Sequence, residues 1–80
     1  MTLKEAIVYR ITQLCDAKNH NPSSLAYLSG MDRSTIYSIL GNKSNSPEIT
    51  TIKKICDGFE ITLGEFFNSP VFDNLEQEIK

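Results

Sequence analysis

The sequence predicts an all-α fold, built as one small domain of five helices. Apolar residues recur at spacings of three and four in five successive segments, and residues that start or stop helices separate these segments. No segment of four or more residues alternates apolar and polar side chains, as a strand with one buried face would. A chain of 80 residues buries only about 60% of its unfolded surface, so most apolar side chains are needed for a single core.

The first helix is predicted to begin after Thr2, a helix-capping residue, and to run to about Lys18. Its apolar stripe has spacings of four, four and three, and consists of Leu3, Ile7, Ile11 and Leu14.

The second helix is short, from Pro22 to Ser29. Asn21 before Pro22 is a strong start signal, because the asparagine side chain caps the first amides and proline has a helical φ angle. Gly30 follows the last helical position, and glycine adopts the left-handed conformation that ends many helices at no steric cost. The chain is therefore expected to turn sharply at Gly30.

The third helix is predicted over residues 33–41, with Asp32 as its cap and Gly41 and Asn42 as its stop. Its inward stripe consists of Ile36, Ile39 and Leu40.

The fourth helix follows a loop rich in serine and asparagine and ends at Gly58. Its apolar positions are Ile49, Ile52, Ile55 and Cys56. Thr62 caps a fifth helix from Leu63 to about Asn68, and the apolar set of that helix is Leu63, Phe66 and Phe67.

Residues 1–68 are therefore interpreted as the folded domain and residues 69–80 as an acidic C-terminal tail. Phe72, Leu75 and Ile79 in the tail are spaced by three and four, which suits an amphipathic turn or two. Three alternatives stay open: a frayed end, packing on the chain's own domain, or pairing with a second chain through these three residues. A helix this short needs a surface to dock on.

Composition excludes several functions. The two cysteines, Cys15 and Cys56, lie on core-facing positions and are interpreted as buried free thiols. With His20 as the single histidine, they cannot supply a closed zinc site. We expect no enzymatic activity, no metal, no cofactor and no small-molecule substrate.

The chain has neither an apolar run of about 18 residues nor the start of a secretory signal. We therefore expect a cytoplasmic protein without a membrane segment.

The net charge of −2 argues mildly against binding to nucleic acid, but the charge is unevenly distributed. Up to Phe59, seven basic residues stand against five acidic ones, a net of +2, whereas the remainder carries −4. The part of the chain up to Phe59 can therefore bind a polyanion if the acidic remainder lies away from the contact.

The second and third predicted helices, with the glycine turn between them, have the residue pattern of a known DNA-binding motif. The chain resembles the Cro/CI (XRE-like) phage-repressor type of helix-turn-helix over roughly residues 7–67, with the motif at about 22–41 and the recognition helix at about 33–41. The resemblance continues through Pro47 and the segments ITTIKKIC and ITLGEFF. Within and just after the motif it rests on Leu25, Ala26, Ser29, Gly30, Met31, Arg33, Ser34, Thr35, Ile36, Ile39, Asn42 and Lys43.

The resemblance implies a lambda-repressor-like five-helix bundle that binds double-stranded DNA, commonly as a dimer, with the second motif helix in the major groove. The implied contacts to base edges are Arg33, Ser34, Tyr37 and Ser38. The implied contacts to the DNA backbone are Ser23, Thr35, Asn42, Lys43 and Ser44. Arg33 either reads guanine or meets phosphate, and Tyr37 either touches DNA or is a half-exposed spacer.

Two departures from the family pattern bear on this implication. Many members have glutamine where this chain has Pro22, so one phosphate contact is missing. Many also pair an arginine with a glutamate at the positions of Cys15 and Leu40. Here both partners are apolar, which leaves no buried charge uncompensated.

Two functions remain in competition. The first is a sequence-specific, repressor-like transcription regulator that binds as a homodimer. The second is a protein-interaction or dimerisation module, or an antitoxin-like protein, with weak DNA binding. The low pI, Pro22 in place of glutamine and the apolar residues of the tail are consistent with the second function, and the motif favours the first.

Overall fold

The structure, a computed structural model, describes residues 1–41 and 46–79. Within these residues it contains five α-helices and no strand, which confirms the predicted all-α fold. The predicted helix ends agree with the observed ones to within one residue. In chain order, the helices are α1 (Leu3–Ala17), α2 (Pro22–Ser29), α3 (Arg33–Leu40), α4 (Ile49–Phe59) and α5 (Leu63–Phe67).

Side-chain capping boxes fix the starts of α1, α2 and α5, the one on α2 formed by Asn21 and Ser24. Thr2 and Glu5 form a reciprocal capping box on α1, in which the Glu5 amide donates to Thr2 Oγ1 and the Thr2 amide to Glu5 Oε1. Thr62 and Glu65 form the same arrangement on α5. Each box satisfies two backbone donors that the helix itself leaves unpaired.

The apolar stripes of the helices meet in one core. The predicted stripe of α1 packs inward, with Ile7 and Ile11 almost fully buried. Cys15 and Cys56 lie in the same core as free thiols, which confirms their interpretation. Leu40 packs against this core, so the Cys15 and Leu40 positions are both filled by apolar contacts.

The end of α4 differs from the prediction in position and in cause. The helix continues through Gly58 to Phe59, and Glu60 ends it in the left-handed conformation with φ of 60°. Gly58 instead lies where α4 packs closely against α2. A Cβ atom at this position would lie 2.6 Å from Ser29 Oγ and 3.2 Å from the backbone carbonyl carbon of Leu28. The glycine therefore serves helix packing.

The tail packs against its own domain, one of the three alternatives left open. Pro70–Phe72 forms a single 3₁₀ turn next to α1, and the Phe72 ring contacts Phe66 and Phe67 at centroid distances of 6.1 and 5.0 Å. Further along, the Glu76 amide donates to the Met1 carbonyl oxygen at 3.1 Å. The amphipathic turn or two that the spacing of Phe72, Leu75 and Ile79 would suit is absent from residues 73–79. The Phe72 ring packs on α5, so it is not available as the first apolar residue of a helix in the tail.

Arg10 joins α1 to the end of α5. Its Nε donates to the carbonyl oxygen of Phe66 and its Nη2 to that of Glu65, both at 2.7 Å, while Nη1 donates to Gln13 Oε1 at 2.8 Å. A cation at a helix C-terminus also meets the negative end of the helix dipole. Arg10 thus fixes the last helix onto the first.

Candidate nucleic-acid interface

The turn between α2 and α3 is built around Gly30. This residue has φ of +66°, and the next amide, Met31, donates to the Ala26 carbonyl oxygen at 3.0 Å. Glycine adopts this left-handed conformation without strain. Ala26 is buried beside the turn, and its small side chain permits close helix packing. The two helices therefore meet as a helix-turn-helix.

One face of α3 is buried and the opposite face is polar and open. Ile36 and Ile39 point into the core, with 1% and 7% of their surface exposed. Every sequence-predicted contact on this helix lies on the exposed part of its surface, with Tyr37 54% exposed. These residues are Arg33, Ser34, Thr35, Tyr37 and Ser38. The fold thus brings all five together on one short helix.

Asp32 does not cap α3 in the way the sequence predicted. Its carbonyl oxygen accepts from the Thr35 and Ile36 amides, at 3.0 and 3.3 Å. Its carboxylate makes no side-chain cap hydrogen bond and is exposed. An aspartate at this position is favoured because its side chain can cap the helix, but here the backbone alone begins it. The carboxylate is left on the surface beside Arg33.

The start of α2 offers fewer free amides than a typical helix. Pro22 has no amide hydrogen, the Ser24 amide donates to Asn21 Oδ1 at 2.8 Å, and the Leu25 amide donates to the Asn21 carbonyl oxygen. Within the described part of the chain, only the Ser23 amide of this first turn has no hydrogen-bond acceptor. A phosphate at this end of α2 would therefore be held by Ser23.

Tyr27 is a surface residue that the sequence reasoning left out. It lies on α2, one turn after Ser23, and is 85% exposed. Its spacing of four from Ser23 is the signal that places the two on one helix face. A tyrosine offers both an apolar ring and a hydroxyl donor at such a position.

The remaining predicted contacts are only partly described. Asn42, Lys43 and Ser44, expected at the DNA backbone, lie outside the described residues. In the tail, Phe72 packs on α5 and Leu75 is half-buried, whereas Ile79 is 87% exposed. Ile79 is therefore the residue of this group that remains open to a second chain.

The structure places no reactive thiol on this surface. Burial raises the pKa of both Cys15 and Cys56, so the thiols stay protonated at neutral pH. Within residues 1–41 and 46–79, no three histidine, cysteine or acidic side chains are grouped to hold a metal ion. Among the helices in these ranges, none has the length and apolar character needed to cross a bilayer.

Comparisons with known proteins agree with this geometry. The family model of the Cro/C1-type helix-turn-helix (HTH) DNA-binding domain matches residues 10–70. Among solved structures, the crystal structure of the prophage Lp1 protein 11 is similar, with a TM-score of 0.82 and 28% sequence identity. The similarity covers 94% of this chain and 99% of that one. None of the curated proteins compared with the chain matches it.

Proposed function

Because the chain belongs to the Cro/C1-type helix-turn-helix DNA-binding family, we propose that it is a sequence-specific transcription regulator. It binds double-stranded DNA as a homodimer in the cytoplasm and acts as a repressor by occupying its operator. The observation that carries this proposal is the exposed polar face of α3. Ile36 and Ile39 anchor the opposite face of the helix in the core.

In this proposal α3 lies in the major groove, with its N-terminal residues toward the base edges. Arg33 and Ser34 lead the helix, and Tyr37 and Ser38 follow one turn later. Arg33 contacts the O6 and N7 atoms of guanine, a bidentate pair worth about 1–3 kcal/mol of discrimination. Tyr37 offers its ring to a thymine methyl group.

Contacts to the DNA backbone hold α3 in register but carry no sequence information. Ser23, with its free amide at the start of α2, and Thr35 on α3 supply two of them, and Tyr27 is a third candidate on the α2 face. By resemblance, Asn42, Lys43 and Ser44 complete the set. Backbone amides need no positive side chain to attract phosphate, which suits a chain with a net charge of −2.

Selection from random duplex DNA, followed by titration of the selected sequence at about 50 and 200 mM salt, tests the proposal. We expect a palindrome whose half-sites lie about 34 Å, one helical turn, apart, because two-fold symmetric dimers bind such sites. Weak binding without a motif, lost at the higher salt, would instead favour the protein-interaction module.

The dimer is tested separately through Ile79. Ile79→Ser should lower the dimer fraction in sedimentation while the protein keeps its helicity, because its side chain is 87% exposed and takes no part in the core. Phe72→Ala is the matched control in the same tail. It should lower the melting temperature, since it removes the ring that packs on Phe66 and Phe67. An unaltered oligomeric state in Ile79→Ser would reject the tail as a dimer contact.

A further inference from the structure

The carboxylate of Asp32 makes no hydrogen bond and no ion pair in the described part of the chain. Asp32 occupies the N-cap position of α3 with an extended backbone, φ −69° and ψ 148°, yet its side chain bonds to no amide of that helix. In contrast, Thr2, Asn21 and Thr62 each use a side-chain oxygen to cap their helices. A cap hydrogen bond therefore does not account for an acidic side chain at position 32, and the helix dipole alone favours a charge there by only about 0.3–1 kcal/mol.

The neighbouring Arg33 does not account for it either. Both residues are exposed, and the ion pairs among the described residues join the Met1 ammonium to Glu76 and Lys53 to Asp57. Asp32 and Arg33 thus stand at the leading end of the exposed face of α3 as two separate charges of opposite sign. If α3 enters the major groove with its N-terminus first, Asp32 and Arg33 both lie close to the base edges.

A carboxylate in that place weakens binding unless it meets a hydrogen-bond donor. Phosphate oxygens only accept hydrogen bonds and repel it. In the major groove the donors are N4 of cytosine and N6 of adenine, and the adenine amine stands next to N7, an acceptor to which a carboxylate offers nothing. Cytosine is therefore the base that best matches a free aspartate.

We propose that Asp32 reads sequence by accepting a hydrogen bond from N4 of cytosine, next to the base contacted by Arg33. This inference rests on the proposed function, because it requires α3 to lie in the major groove. Asp32 also lowers binding to unrelated DNA, where its charge meets phosphates without compensation. An acidic N-cap thereby increases specificity at the expense of non-specific affinity.

The test compares base preferences selected from random duplex DNA by the wild-type protein, Asp32→Asn and Asp32→Ala. The wild type should enrich cytosine at one position of each half-site. Replacing that base should weaken its binding about 5- to 150-fold, the range for a good base contact. Asp32→Asn should change the preference at that position to adenine, because asparagine pairs with both N6 and N7.

Asp32→Ala should lose the preference at that position and bind unrelated DNA more tightly. Both variants should stay folded, since neither removes a cap hydrogen bond and the lost charge–dipole interaction is worth only about 0.3–1 kcal/mol. Glu48→Gln is the matched control, because Glu48 is also an exposed N-cap without a side-chain cap bond, on α4. It should leave every base preference unchanged.

The outcomes separate the two proposals. Identical base preferences in the wild type, Asp32→Asn and Asp32→Ala would overturn the role of Asp32 while the proposed function stands. A wild-type protein that enriches no motif would overturn the proposed function, and this inference with it.

Discussion

Gly58 of α4 lies directly against Ser29 of α2. A methyl group on Gly58 would stand 2.6 Å from Ser29 Oγ and 3.2 Å from the Ser29 amide nitrogen. Two helices approach this closely only where one of them has no side chain. Because α2 also packs on α3, the Gly58–Ser29 contact helps to position α3 relative to the rest of the domain.

Gly58→Ala should destabilise the protein. Overpacking of this kind costs about 1–3 kcal/mol, while replacing glycine by alanine in a helix returns at most about 1 kcal/mol. We expect a net loss of about 1 kcal/mol, and at most about 2 kcal/mol if the helix gain is realised in full, seen as a fall of roughly 4–8 °C in melting temperature per kcal/mol.

Gly64→Ala is the matched control for Gly58→Ala. Gly64 is exposed on α5, and its added methyl group would meet only Thr62 Oγ1, at 3.8 Å. This variant should be as stable as the wild type or more so. Equal melting temperatures for the two variants would show that α2 and α4 have room to separate.

Ser29→Ala should stabilise the protein. Ser29 Oγ is buried and has no hydrogen-bond partner in the described part of the chain. A buried polar group without a partner costs about 1–3 kcal/mol, so its removal should raise the free energy of unfolding by up to about that amount. Urea denaturation measures this gain.

A second serine of the same helix should respond in the opposite direction. Ser24 Oγ accepts from the Asn21 amide at 3.0 Å as part of the α2 capping box. Ser24→Ala should therefore cost about 0.5–2 kcal/mol, as the loss of a cap does. If both serine variants lose stability, Ser29 must have a partner that its geometry does not reveal.

The local elements of this fold were predictable because their signals are local. The starts of α1, α2 and α5 follow from Thr2, Asn21 and Thr62, whose side chains bond within three residues. The left-handed Gly30 follows from the same logic. The exposed face of α3 was predictable from the spacing of Ile36 and Ile39.

Contacts between distant parts of the chain were not predictable in this way. Arg10 finds its acceptors 55 and 56 residues further along, and no spacing in the sequence indicates this. Gly58 resembles a helix stop until α2 is seen beside it. Asp32 has the preferred residue type for a cap, but residue preference does not fix where its side chain points.

Replacing Arg10 should loosen the attachment of α5. Hydrogen bonds from a charged donor contribute about 1.5–3 kcal/mol, so Arg10→Met, which keeps the apolar stem, should lower the free energy of unfolding by about that amount. Lys54→Met, at an exposed site on α4, should change it little. If the two variants unfold at the same urea concentration, the Arg10 bonds to Phe66 and Glu65 contribute no net stability.

Acid should weaken the caps of α1 and α5. The backbone amide of Thr2 holds the pKa of Glu5 below its usual range, and the amide of Thr62 does the same for Glu65. A carboxyl group with a lower pKa in the folded state stabilises the fold above the unfolded pKa of about 4.3. That contribution is lost as the pH falls from this value through the folded pKa.

The variants Glu5→Gln and Glu65→Gln isolate this effect. Glutamine still closes a capping box but does not titrate, so the free energy of unfolding should depend less steeply on pH between about 5 and 3. Thermal melts across this range measure the slope. An unchanged slope in both variants would assign the acid sensitivity to other carboxylates.

Arg33 and Lys43 should affect DNA binding in different ways. Arg33→Ala should relax the preference at one base position and cost about 1–3 kcal/mol on the selected sequence, because it removes a contact to a base edge. Lys43→Ala should weaken binding to all sequences alike and make the dependence of log affinity on log salt shallower by about one, as the loss of a phosphate contact does. Titration of both variants on selected and scrambled duplexes at several salt concentrations separates the two effects. If the two substitutions give the same loss on both duplexes, α3 contacts only the DNA backbone, and sequence preference must come from another surface.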